Sequence, residues 1–500
     1  MPPTETVAPR AWRAVAVLAA LGACLAVAAQ ASAASDSAAL PEARCRLDAM
    51  RLPAVLAYCT ELAVPEDRAR PNGATLTLFA ARIPALTAAP QPDPLLLIAG
   101  GPGQSAVDLY LQMRRAFEPV RLERDIILLD QRGTGRSADG FTCDLTEAAA
   151  FETAAPAELE DAIDDCLAEL TRDPRQFATE SAVADLDDLR AALGVSRVNL
   201  YGISYGTRVA QRYAARYPSR VRAMILDGVV PSTLPLGPGI AADAQAALDG
   251  IFARCAGDPD CAERYPGLPR MFAGLRVRLA AGPVSIDIAD PKTGRIGTRL
   301  FSASDLAGVV RLMSSSSQAA ALLPLAIDEA YHGDYTLLAA QVDLLSSDLA
   351  ASMRMPMHNS VVCSEDVPFY PPTDDAADDD TYLGTSVVDA LVTICSRWPA
   401  AAPAAEIKLP LVFDGPVLLL SGELDPVTPP RYASEVIAGG VRNAAHVIVA
   451  GQGHGMAGIG CAPRVIGRFI AAASVDSVDS RCLQAEPPPP FFLSATGPAP

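Results

Sequence analysis

The stretch Tyr201-Gly202-Ile203-Ser204-Tyr205-Gly206 constrains this chain more than any other. Arg197-Val198-Asn199-Leu200 before it reads as a short buried strand. Thr207 to Tyr217 after it reads as a helix stopped by Pro218. A serine set between a strand and a helix, with glycine two residues to either side, is the pattern of a nucleophile elbow. The turn it requires is so tight that side chains at those two positions would collide. Gly202 and Gly206 remove them, which leaves the Ser204 hydroxyl strained and exposed. Glycines near serines are common in turns, so the flanking strand and helix give the match its weight.

A serine hydroxyl is a poor nucleophile until a base takes its proton, and the usual base is a histidine oriented by a carboxylate. The chain has four histidines, His332, His358, His446 and His454. Pro416 to Gly422 reads as a buried strand and turn, followed by Glu423-Leu424-Asp425-Pro426. His446 to Ala450 reads as the next strand, followed by Gly451-Gln452-Gly453-His454-Gly455. His454 thus falls on a glycine-rich loop at a strand end, and Asp425 falls in the equivalent place one unit earlier. Ser204, Asp425 and His454 are the candidate catalytic residues. Glu423 is the competing acid, and His446 is expected to pack within its strand.

A tetrahedral intermediate needs two backbone N–H donors aimed at its oxygen. Tyr205, directly after the nucleophile, is one candidate. Pro94 to Ala99 reads as a strand, and the loop Gly100-Gly101-Pro102-Gly103 after it offers Gly100 or Gly101 as the other. Such a loop could also hold phosphate, but Gly-x-x-x-x-Gly-Lys-Ser/Thr is absent.

Together these motifs resemble one family. Gly100 to Gly103, Asp130-Gln131-Arg132-Gly133-Thr134-Gly135-Arg136-Ser137, Gly202 to Gly206, Gly422 to Pro429 and Gly453 to Gly455 appear in the order found in α/β-hydrolases of the proline iminopeptidase and tripeptidyl aminopeptidase branch. The resemblance runs from about Cys45 to about Cys482. It implies an α/β fold: a mostly parallel sheet with helices on both faces and an inserted, mainly helical cap. The chain departs from proline iminopeptidases at Ala99, where they carry histidine, and at Tyr205, where they carry tryptophan. Both differences point toward the secreted, tripeptidyl aminopeptidase-like members. The Asp130 to Ser137 stretch reads as a scaffold turn beside the site.

Strands expected at about 74–83, 94–99, 125–130, 197–201, 221–227, 416–421 and 446–450 alternate with helical patterns, the signature of a parallel sheet. One helix is expected over Ala182 to Leu193, with Val183, Leu186, Leu189 and Leu193 on one face and Gly194 as its stop. The resulting organisation is a signal peptide at 1–33, a first part of the core at 34–230, a helical cap at 231–408, a second part of the core at 409–485 and a Pro-rich tail at 486–500, read as disordered. Arg10 and Arg13 precede the apolar run Ala14 to Ala29, and Ala31-Ser32-Ala33 has the form of a cleavage site. The run is short for a membrane span. Leu21-Gly22-Ala23-Cys24 loosely resembles a lipoprotein box.

Of eleven cysteines, Cys24 lies in the expected signal, leaving ten. An even count in an exported chain implies disulfides. Pairing of sequence neighbours is the economical pattern: Cys45 with Cys59, Cys143 with Cys166, Cys255 with Cys261, Cys363 with Cys395 and Cys461 with Cys482. Spacing alone leaves other connectivities open. No Cys-x-x-Cys or His-Glu-x-x-His pattern suggests a metal, and no cofactor is expected. A net charge of −18 argues against nucleic acid or an anionic membrane as partner. The five aspartates between Asp374 and Asp380 read as a solvated loop.

Exopeptidases of the family hold the substrate's free amino group with acids from the cap. Glu365 and Asp366, just after Cys363, are the candidates here, against the plain alternative of a polar loop or helix cap. The expected function is therefore a secreted serine exopeptidase acting on peptides with a free N-terminus. A carboxylesterase on the same scaffold is the alternative, and a non-catalytic binding protein would require a broken Ser-Asp-His set.

Overall fold

The computed structural model describes residues 40–49, 52–143, 156–289, 294–371 and 380–498. The expected signal segment, Cys24 and all but the last of the clustered aspartates lie outside these residues.

Eleven strands are present among the described residues: β1 (Ala43–Ala49), β2 (Leu52–Pro65), β3 (Thr75–Ile83), β4 (Leu95–Ile98), β5 (Ile126–Leu129), β6 (Val198–Ile203), β7 (Val221–Asp227), β8 (Val284–Ala289), β9 (Ile296–Phe301), β10 (Val417–Gly422) and β11 (Ala444–Val449). Nine of them form one sheet in the order β1-β2-β3-β5-β4-β6-β7-β10-β11. The first three pairings across it are antiparallel. The remaining five are parallel. Every residue of β4, β5 and β6 is buried, as strands covered on both faces require; β4 and β5 are unbroken apolar runs, and β6 departs from one at Asn199.

Three helices that flank the sheet matter for the site: α1 (Ala106–Met113), α2 (Thr179–Ala192) and α3 (Tyr205–Arg216). Val183, Leu186 and Leu189 of α2 are buried, and Gly194 follows in the left-handed region at φ 69°. The sheet packs with α1 and the helix Ala462–Ala472 into an apolar cluster that includes Tyr110, Phe117, Tyr201, Ile225 and Phe469.

Residues between β7 and β10 are mostly helical and hold a separate apolar cluster around Leu248, Phe272, Leu306, Met313 and Ile327. Two of its helices reach the site, α4 (Ala303–Ser314) and α5 (Met355–Glu365). This insert is not wholly helical, because β8 and β9 form an antiparallel ribbon within it. Val284, Ile286 and Ile288 are half-buried on one face while the residues between them are exposed. That period of two is the ordinary mark of a half-covered strand. β1 and β2 are likewise additional to the strands expected from apolar runs, and in β2 buried Thr60, Leu62 and Val64 alternate with exposed Glu61 and Ala63.

All five disulfides join sequence neighbours: Cys45–Cys59, Cys143–Cys166, Cys255–Cys261, Cys363–Cys395 and Cys461–Cys482. The first ties β1 to β2, and the fourth fixes α5 to the helix Ser386–Arg397.

The tail corrects one expectation. Residues 486–498 are not a free Pro-rich extension but lie against the insert. Phe491 is buried in the insert's apolar cluster, with the Arg254 guanidinium 3.9 Å from its ring centre. The Phe492 N–H donates to Ala321 O at 3.0 Å, and the Tyr265 hydroxyl donates to Phe492 O at 2.7 Å. Proline removes amide donors and limits the extended chain's freedom, so ordering this segment costs less entropy than its composition suggests. Truncating a buried phenylalanine removes both its transfer energy and its packing. Phe491→Ala is therefore expected to destabilise the protein by about 3 kcal/mol, read as a fall in thermal midpoint beside an unchanged control at exposed Pro498, Pro498→Ala.

Candidate active site

β4, β6, β7, β10 and β11 are mutually parallel, so the loops that follow them open at one edge of the sheet. Ser204 follows β6 and is one of two non-glycine residues with positive φ among the described residues, at φ 55° and ψ −128°. Two close approaches force this. A Cβ on Gly202 would lie 2.4 Å from Gly206 O, and one on Gly206 would lie 2.4 Å from Ile98 O at the end of β4. The elbow is held by Ser204 N–H donating to Asp227 O at 2.9 Å and by the Thr207 hydroxyl donating to Ser204 O at 2.7 Å. Tyr205 opens α3, where main-chain N–H groups have no partner within the helix.

The loop after β4 lies against this elbow. A Cβ on Gly100 would approach the Ser204 Cβ to 3.0 Å, which places the Gly100 main chain beside Ser204. Asp130 steadies the far side of that loop. Its carboxylate accepts from the Ser105 hydroxyl at 2.8 Å and from Val107 N–H and Arg136 N–H at 3.2 and 2.9 Å. The Arg132 guanidinium is buried against Asp185 at 2.7 Å. The Asp-Gln-Arg-Gly-x-Gly stretch is thus bonded as a brace, as its scaffold reading expects.

Asp425 follows β10 and His454 follows β11. The Asp425 carboxylate is buried, with Oδ2 2.8 Å from His454 Nδ1. It also accepts from Val427 N–H, Thr428 N–H and the Thr428 hydroxyl at 2.8, 2.9 and 2.6 Å. Burial alone would raise its proton affinity, but the His454 charge and hydrogen bond, with the Thr428 donors, hold Asp425 below the usual carboxylate range. Burial disfavours a charged imidazole at His454, yet Asp425 and the nearby Asp227 outweigh it and raise the His454 pKa above 6.5, with Arg311 opposing them. The imidazole side chain keeps 20% of its surface exposed, enough to meet solvent or substrate. Glu423 is exposed and accepts from Gly451 N–H at 2.8 Å, so it braces the loop and does not meet the imidazole. His446 stays within β11, 3.0 Å from the Ser421 hydroxyl.

Glu365 and Asp366 are both buried where the insert meets the sheet's helices. Glu365 accepts from Thr179 N–H at 2.7 Å and from the Thr179 hydroxyl at 2.6 Å, and so caps α2. The Thr179 hydroxyl also lies 2.7 Å from the Tyr205 hydroxyl. Burial pushes Glu365 up to about 7, against the Thr179 donors and the Arg208 charge. Asp366 already holds two cations, Arg208 at 3.0 Å and Lys408 at 2.7 Å, and accepts from Leu236 N–H at 3.0 Å. Burial and the Arg208 charge lower Lys408 to about 8, despite Asp366.

Several residues join the site that no sequence pattern singled out. Thr428 bridges Asp425 and His454, with its hydroxyl 3.0 Å from His454 Nδ1. Ser315, just past α4, accepts the His454 N–H on its main-chain oxygen at 2.7 Å. Arg354, just before α5, donates its N–H to Gly103 O at 3.0 Å. Thr428 sits three residues after Asp425, a spacing that an Asx-type turn could have suggested. Ser315 and Arg354 are joined to the site only through tertiary packing. Among the described residues, no group of His, Cys, Asp or Glu could hold a metal ion.

Residues 93–279 match the family model of the alpha/beta hydrolase fold, and residues 380–482 match that of TAP-like proteins. The chain has the alpha/beta hydrolase fold with a TAP-like C-terminal region. It is similar to serine protease Hip1 of Mycobacterium tuberculosis, 32% identical over 41% of this chain and 42% of that protein. It is similar to carboxylesterase B of the same organism, 26% identical over 75% of this chain and 76% of that protein. It is also similar to the tripeptidyl aminopeptidase of Streptomyces lividans, 29% identical over 34% of this chain and 35% of that protein. The match to Hip1 spans well under half of either chain.

The ion pair sets a measurable property of this α/β-hydrolase. The His454 ring is expected to titrate above 6.5 in NMR spectra. Asp425→Asn should bring its pKa down, because an uncharged partner no longer favours the imidazolium, whereas Glu423→Gln should leave it in place.

Proposed function

We propose that this chain is an exported serine hydrolase that cleaves peptides near a free N-terminus, with Ser204, His454 and Asp425 as its catalytic triad. The observation that carries the reading is the buried Asp425–His454 pair, set on loops that open at the same sheet edge as the strained Ser204 elbow. In this mechanism the Ser204 hydroxyl attacks the substrate carbonyl while His454 takes its proton and Asp425 holds the ring. The oxyanion forms against the Tyr205 N–H and a Gly100 or Gly101 N–H. His454 then protonates the leaving amine, and water it activates releases the acyl group from Ser204. The names of Hip1 and the tripeptidyl aminopeptidase support a peptide substrate. Five disulfides support an oxidising compartment, and residues 231–408 act as the cap over the site. Carboxylesterase B supports the second reading, ester hydrolysis, because it matches the larger share of this chain.

Ser204→Ala is expected to fold normally and to lose at least about three orders of magnitude in turnover. It should also lose covalent labelling by a fluorophosphonate probe. Near-native turnover would end the serine-hydrolase reading.

Glu365 is the proposed receptor for the substrate's amino group, since Asp366 already carries two cations. The Thr179 bonds leave lone pairs on the Glu365 carboxylate, and an arriving ammonium would favour its ionised form. Ionisation near 7 then ties binding to pH. For a free tripeptide, kcat/KM should rise through about 7 and fall again as the substrate α-amino group loses its proton near about 8. An N-blocked peptide or short ester has no ammonium for Glu365 and should show only the rise that comes from His454 losing its proton, without the fall. Glu365→Gln should cost the free tripeptide about ten- to a hundredfold in kcat/KM and the ester far less. Equal losses on both substrates would assign Glu365 to structure and favour the esterase reading.

A further inference from the structure

Asp227 ends β7, and its three kinds of contact reach each moving part of the proposed chemistry. Its main-chain oxygen accepts the Ser204 N–H at 2.9 Å. Its carboxylate accepts Met456 N–H at 2.7 Å and Ala457 N–H at 2.8 Å, two and three residues beyond His454. The buried Tyr201 hydroxyl, from the strand that carries the nucleophile, donates to the same carboxylate at 2.8 Å. The residue after it packs on the base itself: a Cβ on Gly228 would lie 2.8 Å from the His454 Cε1. Gly228 is at φ 62° and donates its N–H to Leu420 O of β10 at 3.0 Å. The Asp227 side chain is fully enclosed, and its three side-chain partners are all donors.

A carboxylate is expensive to bury, and nothing in the sheet requires one here. A main-chain oxygen would suffice for the elbow, and apolar side chains would fill the same space more cheaply. What the carboxylate adds is a link between two loops that have no strand pairing with each other. β6 and β11 are separated in the sheet by β7 and β10. The relative position of a nucleophile on one and a base on the other would otherwise depend on two independent loops.

We infer that Asp227 is a positioning residue, a clamp that sets the His454 loop against the Ser204 elbow. The inference rests on the proposed Ser204–His454–Asp425 triad. It differs from the role of Asp425, which bonds the imidazole directly; Asp227 acts through main-chain amides and through Tyr201. Its charge is a second handle on the base. Burial holds the proton affinity of Asp227 above the usual carboxylate range, with the Met456, Tyr201 and Ala457 donors opposing it; because all three partners donate, only the ionised carboxylate accepts from each of them. The charged groups that bear on His454 are Asp425 and Asp227, which favour the imidazolium, and Arg311, which disfavours it. Taking away the Asp227 charge must therefore lower the pKa of the base.

The test is Asp227→Asn, which keeps the shape but offers an amide N–H₂ to a backbone N–H, so that one main-chain bond is lost. Turnover of an N-blocked chromogenic ester and the rate of fluorophosphonate labelling are measured against pH, beside Asp425→Asn and His454→Ala. Displacing the base by a fraction of an ångström to an ångström should reduce kcat by roughly ten- to a hundredfold with KM within about threefold. The acid limb of kcat/KM should move to lower pH. A wild-type kcat, or an acid limb that does not move, overturns the inference. If Asp227→Asn does not fold, Tyr201→Phe decides: it leaves the main-chain bonds and removes one donor, so a slower kcat at unchanged KM supports the clamp and a wild-type kcat overturns it. His454→Ala separates the two levels. Activity that survives it refutes the triad itself, whereas loss in His454→Ala beside wild-type behaviour in Asp227→Asn refutes the clamp alone.

Discussion

The contact between the Ser204 elbow and the end of β4 is the constraint on which the rest of the site depends. Gly206 lies so near Ile98 O and Ala99 O that no side chain fits there, and Gly202 lies as near to Gly206 O. Only with both glycines can α3 start at once after β6, and only that start holds Ser204 at positive φ with its hydroxyl at the sheet edge. The same approach brings the Gly100 main chain against the Ser204 Cβ. Ser204 and the glycine loop after β4 are therefore placed by one packing event, and the backbone strain at Ser204 is borne by a sheet whose central strands are wholly buried.

The insert takes part in the site more directly than a lid would. Its Ser315 oxygen holds the His454 N–H, and its Arg354 N–H holds Gly103 O in the glycine loop after β4. Glu365 and Asp366 extend the attachment to α2 and α3, one by capping Thr179 and the other by pairing with Arg208. Buried ion pairs of this kind add little net stability, since desolvation offsets much of the attraction, but they tolerate few alternative arrangements. The insert is thereby registered on the helix that begins just after Ser204. The C-terminal segment adds a further tie by burying Phe491 among the insert's helices.

Two carboxylates act on His454 and reach it by different geometry. Asp425 bonds Nδ1 and is held ionised by donors from its own turn. Asp227 makes no such bond; it gathers amides from the chain beyond His454. Both favour the imidazolium, so they act in the same direction on the base while differing in geometry.

The nucleophile elbow, the order of Ser204, Asp425 and His454, the glycine loop and the neighbour pairing of the cysteines were all legible in the chain. Each depends on local chemistry: a turn that only glycine permits, a loop at the end of an apolar run, a short covalent reach. The helix over Ala182 to Leu193 was legible for the same reason, through its buried face. β1, β2 and the β8–β9 ribbon were harder to read, because a half-exposed strand alternates polar and apolar residues and shows no unbroken apolar run. The docked tail was misread, since proline-rich composition describes the cost of ordering a segment and not the surface available to receive it. Asp227, Ser315, Arg354 and the partners of Glu365 and Asp366 could be decided only by the tertiary structure. Their roles rest on groups distant in sequence, as Glu365 and Thr179 are at 186 residues apart, and a single chain carries no periodicity or spacing that reports such a pairing.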